Sequence, residues 1–124
     1  MTYINHQEVT IVTDGSGNGT GYTEIVNGFI QSIRYVKGNY SNGVDFSVTA
    51  EGSGLTIWAQ NDVNASAMVS PRVGTCDTGG TAALYAAAGS PVGCQIPVAN
   101  ERISIAVSSG GNAMTGTFHV YIGG

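Results

Sequence analysis

Charge is what this sequence has least of. Asp, Glu, Lys and Arg make up 10% of its 124 residues, where a soluble domain usually carries about a quarter. Four side chains are basic (Arg34, Lys37, Arg72 and Arg102) against eight acids, for a net charge of −4. That balance excludes nucleic acid as a partner, because phosphate backbones are gripped by clustered Lys and Arg. Long apolar runs are missing too. Nothing approaches the roughly 20 residues that a membrane-spanning helix needs, so no membrane partner is expected. The opening MTYINHQEV has neither the basic nor the apolar region of a secretory signal. The chain is therefore soluble as made, or its signal is already gone.

Cysteine is nearly absent. Cys76 and Cys94 stand 18 positions apart, and a bridge between them would close a loop worth about 3 kcal/mol in the chain-entropy account. Two buried thiols are the other reading, the usual one for a protein made in the cytoplasm. Spacing leaves both open.

Catalytic signatures are missing as well. There is no G-x-S-x-G elbow and no G-x-G-x-x-G. His6 and His119 are far apart in sequence, and neither has a ligand at metal spacing; surface histidines are the expectation. Asp14, Ser16, Asn18 and Gly19 loosely match the first half of a calcium loop. The acid due at position 25 is Ile25, however, and Glu24 misses by one. The eight acids sit on polar strand faces or in turns, where solvated charge is the default. No catalytic residue, no metal ligand set and no cofactor is expected, and the chain is read as a non-enzyme.

What the chain does have is glycine, 19 residues of it, together with 42% hydrophobic residues in short alternating runs. Scattered glycine marks turns and bulges, and alternation marks half-buried strands. Residues 1–7 lack any period and are expected to form an extended N-terminal arm. The first strand is placed at Gln7 to Thr13. Asp14 to Gly21, with its dense glycines, is read as a turn or wide loop, and a short run follows at Tyr22 to Val26. Phe29 to Lys37 is a long strand with Phe29, Ile33 and Tyr35 on one face. Val44 to Glu51 alternates without fault, Val44, Phe46, Val48 and Ala50 pointing one way. In Leu55 to Gln60 the inward residues are Leu55, Ile57 and Ala59, which leaves Trp58 outward. Asn61 to Ser70 is a weaker, bulged strand. Pro71 to Pro91 breaks the pattern and reads as loop plus a short strand. Ile103, Ile105 and Val107, then Phe118, Val120 and Ile122, supply the last two inward faces. Seven to nine short strands without a helical period predict an all-β antiparallel β-sandwich, jelly-roll-like, as a single domain over residues 1–124.

Trp58 with Tyr35, Tyr40 or Tyr121 could make an exposed aromatic platform of the kind sugar-binding sandwiches use. It could equally be core beneath a second sheet, or an anchor in a protein interface, where Trp, Tyr and Arg concentrate.

Seven segments carry a resemblance in order and spacing. They are IRYVK (Ile33–Lys37), VDFSVT (Val44–Thr49), WAQNDVNAS (Trp58–Ser66), PR (Pro71–Arg72), AALYAA (Ala82–Ala87), PVANERISIAV (Pro97–Val107) and GTFHVYI (Gly116–Ile122). Across nearly its whole length the chain resembles the small head decoration, or cement, proteins encoded beside the major capsid protein of tailed bacteriophages. The resemblance implies a β-sandwich that self-associates as a dimer or trimer, binds the major capsid protein on the outer head surface and stabilises the virion after synthesis in the host cytoplasm. It carries over no active-site residues. Members of that group usually lack a cysteine pair, so it does not decide the bridge. Tyr3, Arg34, Trp58 and Arg72 are the candidate partner contacts. The alternative is a carbohydrate- or receptor-binding β-sandwich module of a phage fibre or tail.

Overall fold

The computed structural model describes residues 4–74 and 93–123, and within them the chain is all strand, turn and loop. Ten strands follow one another: β1 (Ile4–Val12), β2 (Gly19–Tyr22), β3 (Val26–Val36), β4 (Val44–Ala50), β5 (Thr56–Val63), β6 (Ala67–Val69), β7 (Arg72–Gly74), β8 (Gly93–Glu101), β9 (Ile103–Ser108) and β10 (Thr115–Gly123). They form two antiparallel sheets packed face to face, a β-sandwich. One sheet runs β1-β10-β3-β8-β7, with β6 also pairing β3; the other runs β2-β9-β4-β5. One apolar core lies between them, drawing Val9 and Ile11 from β1, Ile33 and Tyr35 from β3, Phe46 and Val48 from β4, Ile105 from β9 and Phe118 from β10. Its centre is aromatic. Tyr35 lies 4.8 Å from Phe46 and 5.0 Å from Phe118, ring centre to ring centre, separations at which tilted rings attract beyond their simple burial.

Several expected faces and boundaries are corrected. The N-terminal segment is not a free arm from residue 4 onward: Ile4, Asn5, His6 and Gln7 pair with Gly123, Ile122, Tyr121 and Val120 of β10. The glycine-rich stretch holds a strand, since Gly19–Tyr22 pairs β9, whereas Thr23–Ile25 are outside any strand. Alternate glycines are what this strand requires. A Cβ on Gly19 would stand 2.6 Å from Ile11 Cγ2, and one on Gly21 2.6 Å from Val9 Cγ1. Glycine there lets β2 lie close against β1 across the mouth of the sandwich.

In β3 the expected inward set is wrong at its start. Phe29 is 44% exposed, while Ile30, Ile33 and Tyr35 are fully buried. The register with β10 shifts so that Gln31 is extra, Tyr121 facing Ser32 and Ile122 facing Ile30. One additional residue reverses the alternation on either side of it. The same device corrects Trp58. A shift in β5 leaves Ile57 extra and sets Trp58 opposite buried Val48. Trp58 thus packs on the core, edge-on to Phe46 at 4.8 Å, and Leu55 and Ala59, expected inward, are exposed. Asn61–Ser70 is divided between the end of β5 and the short β6. By contrast β4, β9 and β10 present the expected inward residues.

Candidate functional site

The turn after β1 shows how the sequence uses its carboxylates. Asp14 accepts hydrogen bonds from the Ser16 and Asn18 backbone N–H groups at 2.8 and 3.1 Å, and these hold its pKa below the usual carboxylate value. The residue closes a turn. Glu101 does similar work at the opposite end, accepting from the N–H groups of Gly52 and Ser53 at 3.0 and 3.3 Å. Beside it Arg102 pairs with Glu51 at 2.8 Å and lies 4.2 Å above the Tyr22 ring. The hydrogen bond from Arg102 to Glu51 raises the guanidinium pKa further. These polar groups are tied up in holding loops.

Two outer faces remain, and they differ. On the four-stranded sheet, cross-strand register sets Thr20, Ala106, Ser47 and Ala59 in one row across all four strands. Tyr22, Ser104, Thr49 and Thr56 lie in a row to one side, Ser108 and Asp45 to the other. The central row is flat because its side chains are small, while Tyr22, 47% exposed, stands at the β2 end of the neighbouring row. An open depression of about 260 Å³ lies in it, lined by residues including Asp45, Ser47, Asn61, Ala106 and Ser108. Asp45 in its lining accepts the Asp62 N–H at 2.8 Å.

The outer face of the six-stranded sheet has larger and more varied side chains. Register places Glu8, His119, Arg34 and Met68 in a row across four strands, and His6, Tyr121 and Ser32 in the next. A third row has Ile4, Gly123, Phe29 and Pro97. Ile4, Phe29 and Met68 are 52%, 44% and 63% exposed. His6 and His119 meet here. His6 Nε2 and His119 Nδ1 share a hydrogen bond of 2.8 Å, and the His6 ring stacks on Tyr121 with centres 4.9 Å apart and planes 12° from parallel.

The candidate contacts do not share one surface. Arg34 is exposed on the six-stranded sheet. Arg72, on β7 at its far edge, donates to the Gln31 and Pro71 carbonyl oxygens. Trp58 is half-buried on the other sheet and belongs partly to the core. Tyr3 lies outside the described residues, as do Cys76, and with it the bridge to Cys94, and the segment expected to hold a short strand before Pro91. Cys94 itself is exposed on β8. The aromatic platform does not form as drawn, because Tyr35 and Tyr40 are buried in the core. The histidine pair was missed for want of a register: both residues have outward parity, but only the pairing of β1 with β10 brings them together.

Compared with known proteins, the chain matches no family model, no curated protein and no solved structure.

Proposed function

We propose that the protein is a non-enzymatic virion structural protein that seats on the outer capsid surface of a tailed bacteriophage and stabilises the head. The observation that carries this reading is the flat face of the four-stranded sheet, with its row of Thr20, Ala106, Ser47 and Ala59. Burying charge against a partner is expensive unless every ion is paired. A face whose centre is hydroxyls and methyls, where Asp45 is already hydrogen-bonded and the Arg102 beside Tyr22 is already paired with Glu51, is covered at little desolvation cost. The segments that resemble decoration proteins supply nearly all of β4, most of β9 and β5 from Trp58 onward, the three strands on which most of this face stands. The major capsid protein is the partner this reading names, with self-association into a dimer or trimer on the shell. Repetition over a symmetric shell turns weak single contacts into strong reinforcement.

The test adds purified protein to undecorated heads and measures binding and resistance to heat. Binding with a gain in resistance is expected, and the Ala106→Arg variant, folded by circular dichroism, is expected to bind at least tenfold more weakly. Absence of wild-type binding overturns the function; undiminished binding by the variant overturns the face. The alternative, a carbohydrate-binding module, has lost two of its three tyrosines to the core. A glycan array in which Trp58→Ala abolishes specific binding would restore it.

A further inference from the structure

His6 and His119 come from the first and last strands, on the outer face opposite in character to the one proposed to dock. Their facing nitrogens are 2.8 Å apart. A hydrogen bond explains that spacing, and so does a second use of the same two atoms. Two imidazole nitrogens bound cis to one metal at about 2.0–2.1 Å stand about 2.9 Å apart at a right angle, and about 3.4 Å apart at a tetrahedral one. The observed separation fits the right angle. Right-angled nitrogen donors are the preference of tetragonal Cu²⁺ and square-planar or octahedral Ni²⁺, and Cu²⁺ heads the affinity order for such ligands.

We infer that His6 Nε2 and His119 Nδ1 form a two-histidine site for a divalent late transition metal, Cu²⁺ foremost. The single hydrogen now between the rings moves to the far nitrogen of its own ring, which leaves two lone pairs facing the ion and releases no proton. Converging on one ion swings each lone pair about 45° away from the N···N line along which the hydrogen bond now runs, a rotation that exposed His6 and half-exposed His119 can make at the surface. In the hydrogen-bonded arrangement the His6 ring also stacks on Tyr121. Glu8, directly opposite His119 on β1, is the nearest carboxylate in the row; Arg34 flanks His119 on β3. Among the described residues no third histidine, cysteine or carboxylate closes on the pair, so the remaining positions belong to water or to a donor from another molecule. An ion held here ties edge strand β1 to β10.

Titration calorimetry with CuCl₂ on the intact protein tests this, with ZnCl₂ as comparison. One Cu²⁺ per chain is expected, with at least tenfold weaker Zn²⁺ binding. His6→Gln and His119→Gln should each weaken Cu²⁺ binding at least tenfold. Both substitutions fall on exposed or half-exposed strand positions, and circular dichroism checks that the fold survives. Electron paramagnetic resonance should show two nitrogen donors in the wild type. Saturating Cu²⁺ should raise the melting temperature of the wild type and leave that of the double variant unchanged. Equal Cu²⁺ affinity in wild type and double variant, or no binding to the wild type, overturns the site. Neither result bears on capsid binding, which is read on separate particles.

Discussion

Two buried tyrosines in van der Waals reach of the same core make opposite demands on their hydroxyls. Tyr40 donates to the Ile11 carbonyl oxygen at 2.6 Å, whereas the buried Tyr35 hydroxyl has no partner among the described residues. Removing a paired hydroxyl strands its acceptor, and removing an unpaired one relieves a desolvation cost. Tyr40→Phe should therefore destabilise the fold by about 1–2 kcal/mol, and Tyr35→Phe should be neutral or stabilising by up to about 1 kcal/mol. Urea midpoints of the two variants check this; a loss in Tyr35→Phe equal to that in Tyr40→Phe would refute it. Burial also pushes both phenols from 10.0 up to about 12. Below pH 10 each is protonated in folded and unfolded chains alike, so stability is unaffected. Between pH 10 and 12 the unfolded chain releases protons that the folded one keeps, and stability falls. Melting temperature should hold level up to pH 10 and drop by pH 11.5, with phenolate absorbance rising together with unfolding. A level melting temperature through pH 11.5 would contradict this.

At the scale of strands, irregularities decide which side chains see solvent. The extra residues at Gln31 and Ile57 each reverse a face, and they are the reason Phe29 and Trp58 were assigned to the wrong sides. Alternation was legible wherever a strand ran unbroken, as in β4, β9 and β10. A bulge has no signature in residue type: Gln31 and Ile57 look like ordinary strand members, and only their partners' register exposes them. Glycine misled for a different reason. Gly19 and Gly21 looked like turn formers, yet they are strand residues whose missing side chains make room for Ile11 and Val9. Gly21→Ala should accordingly cost about 1–3 kcal/mol by overpacking. Gly15→Ala, whose added methyl would meet nothing closer than 3.9 Å, should change stability by less than about 0.5 kcal/mol. Thermal melts of the pair separate a close-packing role from a general dislike of alanine in this stretch. The partner surfaces were still less legible than the faces, since Thr20, Ala106, Ser47 and Ala59 become neighbours only when three different strand pairings are known.

At the scale of the whole molecule, the sandwich presents two unlike exteriors on one core, one flat and hydroxylated, the other ridged with histidine, arginine and exposed hydrophobics. A decorating protein would cover the first and leave the second to solvent, to another copy or to an ion. The pairing that builds the second exterior also sets an order of events. β1 leaves the ribosome before every other strand, yet its hydrogen-bonding partner throughout its length, from Ile4 with Gly123 to Val12 with Thr115, is β10, the last strand to emerge. No nascent chain short of β10 can complete the six-stranded sheet, and pairings of such long sequence separation form slowly. Until β10 has emerged Val9 and Ile11 have no strand of their own sheet to pair with, so closure of the six-stranded sheet waits on β10.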